Sequence, residues 1–119
     1  VSAARPSLRP GQVVWIDFSP TQGREQMGRR PAVVISTADY LRTVRDLAVV
    51  VPVTTTDRGW PHHVRLRGDE LALEQVCFAM TEQPRTVSLA RIGKDSGAVD
   101  DRTLAVIRRW ISDFVVTES

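Results

Sequence analysis

Cysteine is almost missing from this chain: Cys77 stands alone among 119 residues. An internal disulfide framework is thereby excluded, which fits a reducing compartment and makes the cytoplasm the expected location. Long apolar runs are missing too, none approaching the roughly 18 residues that a membrane-spanning helix requires. The leading VSAARPSLRP has no apolar segment, so no signal peptide is expected. Neither sign of charge prevails, with 16 basic against 14 acidic side chains and a formal net charge of +2. Affinity for a polyanion must then come from where charge is placed. Aromatic residues are only 6 % of the chain, which leaves Trp15, Trp60 and Tyr40 as candidates for stacking on bases.

Several chemical signatures are absent as well. The adjacent His62 and His63 with the distant Cys77 do not form a ligand set of recognisable spacing, and strand alternation would let at most one of the two histidines serve. No metal and no cofactor are expected. Cys77 lies in VCFAM with no cationic neighbour to lower its pKa, so it reads as a small buried hydrophobe rather than a nucleophile. Serine-hydrolase and phosphate-loop signatures are not found, and GREQMG has only its terminal glycines.

What is present reads as a small, mostly antiparallel sheet or barrel closed by a C-terminal helix. Residues 1–10 hold two prolines, two serines and two arginines and are expected to be a flexible arm, with a single domain over residues 11–117. QVVWIDF alternates with the period of a strand, whereas PAVVIS is apolar at every interior position, as a strand buried on both faces would be. Between them, SPTQGREQMG is a polar loop. Residues 38–46 form either a short helix or an irregular crossing. LAVVVPVT is a strand that should be at an edge or bulged at Pro52, which cannot donate to a ladder. HHVRL and VCFAMTE follow as short strands, then RTVSLARIG and GAV. In VDDRTLAVIRRWISDFVV the period changes: Leu104, Ile107, Ile111, Phe114 and Val115 share one helical face, and Asp100 or Asp101 can cap its start.

The residues that could carry chemistry sit at strand ends. Between Arg24 and Arg45 five arginines face two acids, Glu25 and Asp39, which makes either a polyanion-binding edge or a solvated loop. Arg30 precedes Pro31, which disfavours helix there and sends Arg30 extended into the sheet. A planar guanidinium so placed presents fixed donors to a phosphate. Glu25 can fold back toward it, or form a plain surface ion pair. Thr54 ends its strand at TTT and can donate to a phosphate oxygen, although a threonine run is equally a simple terminus. Glu82, on the same face as Phe78 and Met80 by alternation, is either a second acid of the site or exposed beyond the sheet edge.

Taken together these residues resemble the MazF and Kid/PemK family of toxin endoribonucleases. The segments that carry the resemblance are GQVVWIDFSPTQGREQMGRRPAVVIS, with the family's G-x-E-Q-x-G-x-R-P loop, then VVVPVT and EQPRTVSLARIG. The resemblance implies an SH3-like barrel of strongly twisted antiparallel sheet with a short connecting helix and a C-terminal helix. It also implies a homodimer, metal-independent cleavage of single-stranded RNA at short motifs, and a cognate antitoxin with an acidic tail that lies over the RNA groove. By position it assigns the family's glutamate to Glu25, its arginine to Arg30 and its threonine to Thr54. The acid used in the Kid-like branch falls on Glu82. Arg24, Gln26, Arg29, Thr55, Gln83 and Arg85 are the accompanying candidates for RNA contact. Two positions depart from the Kid-like pattern: Met80 replaces an arginine and Arg24 replaces a histidine, which leaves Arg30 as the principal cation.

The expected reaction is attack of a ribose 2′-hydroxyl on the adjacent phosphate, with Glu25 the first candidate base and Glu82 the second. Two other classes compete. One is a gyrase-binding toxin like CcdB, in which Glu25, Arg30 and Thr54 have no joint purpose; the other is an RNA-binding module that does not cut.

Overall fold

Two consecutive strands apolar at nearly every position need two covered faces, and the fold supplies both. The computed structural model describes residues 7–18 and 28–118. In chain order these form β1 (Gln12–Asp17), β2 (Arg29–Val34), α1 (Ala38–Thr43), β3 (Leu47–Thr54), β4 (His63–Arg65), β5 (Phe78–Met80), β6 (Arg85–Ser88), a 3₁₀ turn at Leu89–Arg91, β7 (Ile92–Ala98) and α2 (Asp101–Val115). The strands lie in the order β4-β5-β3-β2-β1-β7, with β6 added on β3, and every pair is antiparallel. β4 and β7 stand at the two ends of this path and do not pair with each other, so the expected small barrel is realised as a twisted sheet that does not close. No helix among the described residues is long and apolar enough to cross a membrane.

β1, β2 and β3 separate two cores. On one side Val13, Val33, Val51 and Val53 meet Leu66, Cys77 and Ala79, together with Leu104 and Ile107 of α2. On the other, Val14, Ile16, Ala32, Val34, Ala48, Val50 and Val87 are covered by Leu41 of α1, Leu89 of the 3₁₀ turn, Phe18, Ile92 and Leu8. Residues 1–6 of the expected arm lie outside the described residues, whereas Leu8 packs on this second core.

Pro52 is not at an outer edge. β6 pairs with β3 up to Val50 and β5 begins at Val53, so Pro52 falls where one partner hands over to the next and its missing donor breaks no ladder on that side.

α1 is the short-helix alternative for residues 38–46, capped by Thr37, whose hydroxyl accepts from the Tyr40 amide at 3.1 Å. α2 is tied to the end of β2 by Arg108, whose Nε donates to the Ile35 carbonyl at 3.0 Å. Its expected apolar face is buried only in its first half: Leu104 and Ile107 are core, but Phe114 is 50 % exposed and Val115 69 %, because the helix runs on past the sheet.

Asp100 is the N-cap of α2, its carboxylate accepting from the Thr103 amide at 2.8 Å. The hydrogen bonds from Thr103 hold the carboxyl below the usual carboxylate range. A folded-state pKa lowered in this way contributes stability above the unfolded-state pKa, and that contribution is lost as pH falls through the folded value. Asp100→Asn keeps the cap but not the charge. It should therefore unfold at lower denaturant than wild type at neutral pH, and the gap should close as the solution is acidified below the carboxylate range.

β7 carries one backbone position that only glycine suits. Gly97 has φ +84°, and a Cβ there would overlap the Glu70 carbonyl, where residues 70–72 cross the sheet and the Ala72 amide donates to the Ser96 carbonyl at 3.0 Å. The β1–β7 register shifts at this point. Left-handed backbone costs a residue with a Cβ about 1–2 kcal/mol and overpacking about 1–3 more, so Gly97→Ala should lose roughly 2–5 kcal/mol in a urea titration.

Candidate active-site cleft

The residues 72–75 that Gly97 admits to the sheet form one wall of a cleft of about 500 Å³. Its other walls come from four strands. β1 gives Trp15, β2 gives Arg30 and Pro31, β3 gives Val53 and Thr54, with Thr55 just beyond it, and β7 gives Lys94 and Ser96. Register explains the grouping, because Trp15 pairs with Pro31 and Ile16 with Arg30 where β1 and β2 run side by side. Trp15 is fixed by its indole N–H, which donates to the Ser96 hydroxyl at 2.8 Å.

The Arg30 side chain is exposed and makes no hydrogen bond or ion pair among the described residues. Thr54 is half-buried at the strand end, and its hydroxyl oxygen accepts from the Thr56 amide at 3.1 Å, which leaves its proton available to a ligand. Arg30 and Lys94 give the cleft two cations against one acid, Glu74. Such a site attracts an anion and can present a guanidinium, an ammonium and a hydroxyl to phosphoryl oxygens.

Cys77 also borders the cleft but is buried among core residues, and burial pushes its thiol pKa up. It stays a thiol at neutral pH and is no nucleophile.

The other expected site residues are divided. Arg24, Glu25 and Gln26 lie outside the described residues. Arg29 does not line the cleft, its guanidinium lying against the bare backbone of Gly93 on β7. The guanidinium of Arg85 sits 4.7 Å from the centre of the Phe18 ring. Thr55 joins Thr54 in the cleft.

Glu82 and Gln83 stand elsewhere. β5 stops at Met80, and a turn closed by the Gln83 amide on the Met80 carbonyl carries Glu82 out of the strand alternation expected for it. Both carboxylate oxygens of Glu82 lie 3.1 Å from His63 Nε2, and Gln83 Nε2 donates to one of them at 3.1 Å. Burial raises the Glu82 pKa, but the hydrogen bonds from His63, its own backbone and Gln83, with the His63 charge, outweigh it and hold the carboxyl below its usual value.

Alternation also misplaces the histidines. His62 precedes β4 in a turn, so its ring does not oppose that of His63; both turn Nε2 toward Glu82.

Lys94 and the residue 72–75 wall were not among the sequence candidates. The one available signal for Lys94 is that it is the only lysine beside fifteen arginines. Its arrival opposite Arg30 depends on β7 pairing with β1 across more than seventy residues of chain, and no local pattern reports that.

An open, twisted antiparallel sheet backed by a C-terminal helix, with an anion-attracting cleft over its strand ends, defines a small β protein equipped to hold a phosphodiester. A family model described as "PemK-like, MazF-like toxin of type II toxin-antitoxin system" matches residues 9–115, and the chain belongs to that family. It is similar to the protein named "Endoribonuclease toxin MazF" of Escherichia coli, with 35 % identity over 103 residues, 86 % of this chain and 88 % of that protein. It is also similar to "Endoribonuclease MazF9" of Mycobacterium tuberculosis, with 33 % identity, 82 % of this chain and 87 % of that protein. Among solved structures, MazF of Deinococcus radiodurans superposes with TM-score 0.74 at 30 % identity, covering 92 % of this chain and 97 % of that one. A MazE–MazF crystal structure from the same organism gives TM-score 0.76 at 27 % identity, covering 98 % and 100 %.

Proposed function

We propose that this chain is a sequence-specific endoribonuclease toxin that cuts single-stranded RNA in the cleft of Arg30 and Thr54. The observation that carries the reading is the convergence of those two side chains at the ends of β2 and β3, in a chain whose curated relatives are named endoribonucleases.

The ribose 2′-hydroxyl attacks the adjacent phosphorus, its proton passes to a carboxylate, and the bond to the 5′ oxygen breaks. The products are a 2′,3′-cyclic phosphate and a 5′-hydroxyl that takes a proton from solvent. Arg30 holds the charge that builds on the phosphoryl oxygens, and the Thr54 hydroxyl donates to the same oxygens. A guanidinium with a pKa above about 12 is a poor proton donor, so Arg30 acts by charge. Glu25, which precedes β2 in the sequence, is the base. Glu82 is disfavoured because its carboxylate is already engaged by His63 and Gln83 and does not line the cleft. An internal nucleophile needs only a base, charge stabilisation and alignment, all of which side chains provide.

The protein acts in the cytoplasm as a homodimer. The largest exposed apolar residues, Trp60 at 47 %, Phe114 at 50 % and the Val115–Val116 end of α2, supply a face for a second copy. An antitoxin neutralises it by laying an acidic segment over the Arg30–Lys94 cleft, the charge complement of that surface.

Incubation of the purified protein with a long single-stranded RNA in excess chelator tests the reading. Cutting that leaves cyclic-phosphate and 5′-hydroxyl ends is the expected outcome. Intact RNA with inhibited DNA gyrase would instead place the chain among binding toxins.

A further inference from the structure

We propose that His62, His63 and Glu82 form a binding site for a divalent transition-metal ion, Zn²⁺ above all, between the start of β4 and the β5–β6 turn. Each of the three side chains offers one ligand atom, an imidazole nitrogen from either histidine and a Glu82 carboxylate oxygen, all within 4.8 Å of one another. His63 Nε2 is 3.1 Å from Glu82 Oε1 and His62 Nε2 is 3.5 Å from the same atom. Zn²⁺ holds nitrogen and oxygen ligands at about 2.0–2.2 Å in a tetrahedron, whose edges are then about 3.3–3.5 Å. The two histidine–glutamate separations straddle that edge, and the 4.8 Å span of the full set closes onto an ion by movement of the two partly exposed members, His62 and Glu82.

The donors are held before any ion arrives. The His63 side chain is 2 % exposed, and its ring meets Trp60 edge-on at 4.9 Å between centroids. His62 stacks on Trp60 at 5.5 Å and touches Trp110 and Phe114 of α2. Two imidazoles and one carboxylate suit Zn²⁺ rather than Mg²⁺ or Ca²⁺, which take oxygen ligands, and three protein donors leave a fourth position open. His63 Nδ1 is buried without a hydrogen-bond partner among the described residues, so aromatic packing orients the ring where a carboxylate or carbonyl usually does.

Bound metal would tie the connection between β3 and β4 to the β5–β6 turn. None of the three ligands lines the Arg30–Thr54 cleft, so this inference stands or falls apart from the RNA-cleavage reading.

The test titrates the full, tag-free chain with Co²⁺ and then Zn²⁺. Expected are one metal ion per chain, the strong visible absorption of four-coordinate Co²⁺, its displacement by Zn²⁺, and a raised unfolding temperature with Zn²⁺ present. Loss of an outer partner alone costs about 10–100-fold in metal affinity, so His62→Ala and Glu82→Gln should each cost at least about tenfold and remove the Co²⁺ absorption. His62 and Glu82 are partly exposed, which keeps both variants foldable where His63→Ala would empty a buried site. Cys77→Ser should bind as wild type does. Absence of the Co²⁺ band in wild type, or unchanged affinity in both folded variants, would overturn the site.

Discussion

Arg30→Ala should lower RNA cleavage by at least about 10²–10³-fold while the protein folds and keeps its oligomeric state, because one preorganised donor to a developing oxyanion contributes that much to the rate. The side chain is exposed and free of hydrogen bonds and ion pairs among the described residues, so its removal leaves no buried partner unsatisfied. The β2 backbone that carries it is paired with β1 at Ile16 and stays in place. Loss of activity therefore reports on chemistry rather than on folding, which circular dichroism and sedimentation on the same sample would establish. Arg30→Lys keeps the charge and gives up the planar fork, so it should recover only part of the rate. Removing Glu25, the proposed base, should cost about 10²–10⁴ in rate, and Arg30→Ala should hurt at least as much. Near-normal cleavage by Arg30→Ala would remove the cleft from the reaction.

Much of the fold could be read from pattern, since burial dictates apolar spacing directly. Val33, Val34, Val50 and Val51 form uninterrupted runs because their strands are covered on both sides. Leu104 and Ile107 recur at helical spacing because α2 lies on one side of the sheet. Pattern fails where a strand stops. Nothing in VCFAMTE marks Met80 as the last paired residue, so alternation assigns Glu82 to a face that it leaves, and HHVRL gives no sign that pairing starts only at His63, so alternation separates two histidines that converge. Arg30 and Thr54 were legible because each sits next to a punctuating feature, Pro31 for one and the threonine run for the other. The cleft wall and Lys94 were not, since they depend on a bulge at Gly97 and on long-range pairing. Phe114 and Val115 keep the helical period but outrun the sheet, an excess that a second subunit would cover.

The second large effect concerns the substrate. With a side chain as base and no external nucleophile, the reaction depends on a 2′-hydroxyl beside the scissile phosphate, and an oligonucleotide lacking that one oxygen has no route to the cyclic product. Arg30, Lys94 and Thr54 line the cleft proposed to hold phosphoryl oxygens, which DNA and RNA share, so such a strand should still bind. The most direct measurement uses a single-stranded RNA with one deoxyribose 5′ of the cut bond, compared with its all-ribose parent in excess chelator. The modified strand should compete for binding yet stay intact at that bond, while the parent is cut to a 2′,3′-cyclic phosphate. Cleavage at the deoxyribose would contradict the mechanism, since water or another group would then be the attacking nucleophile.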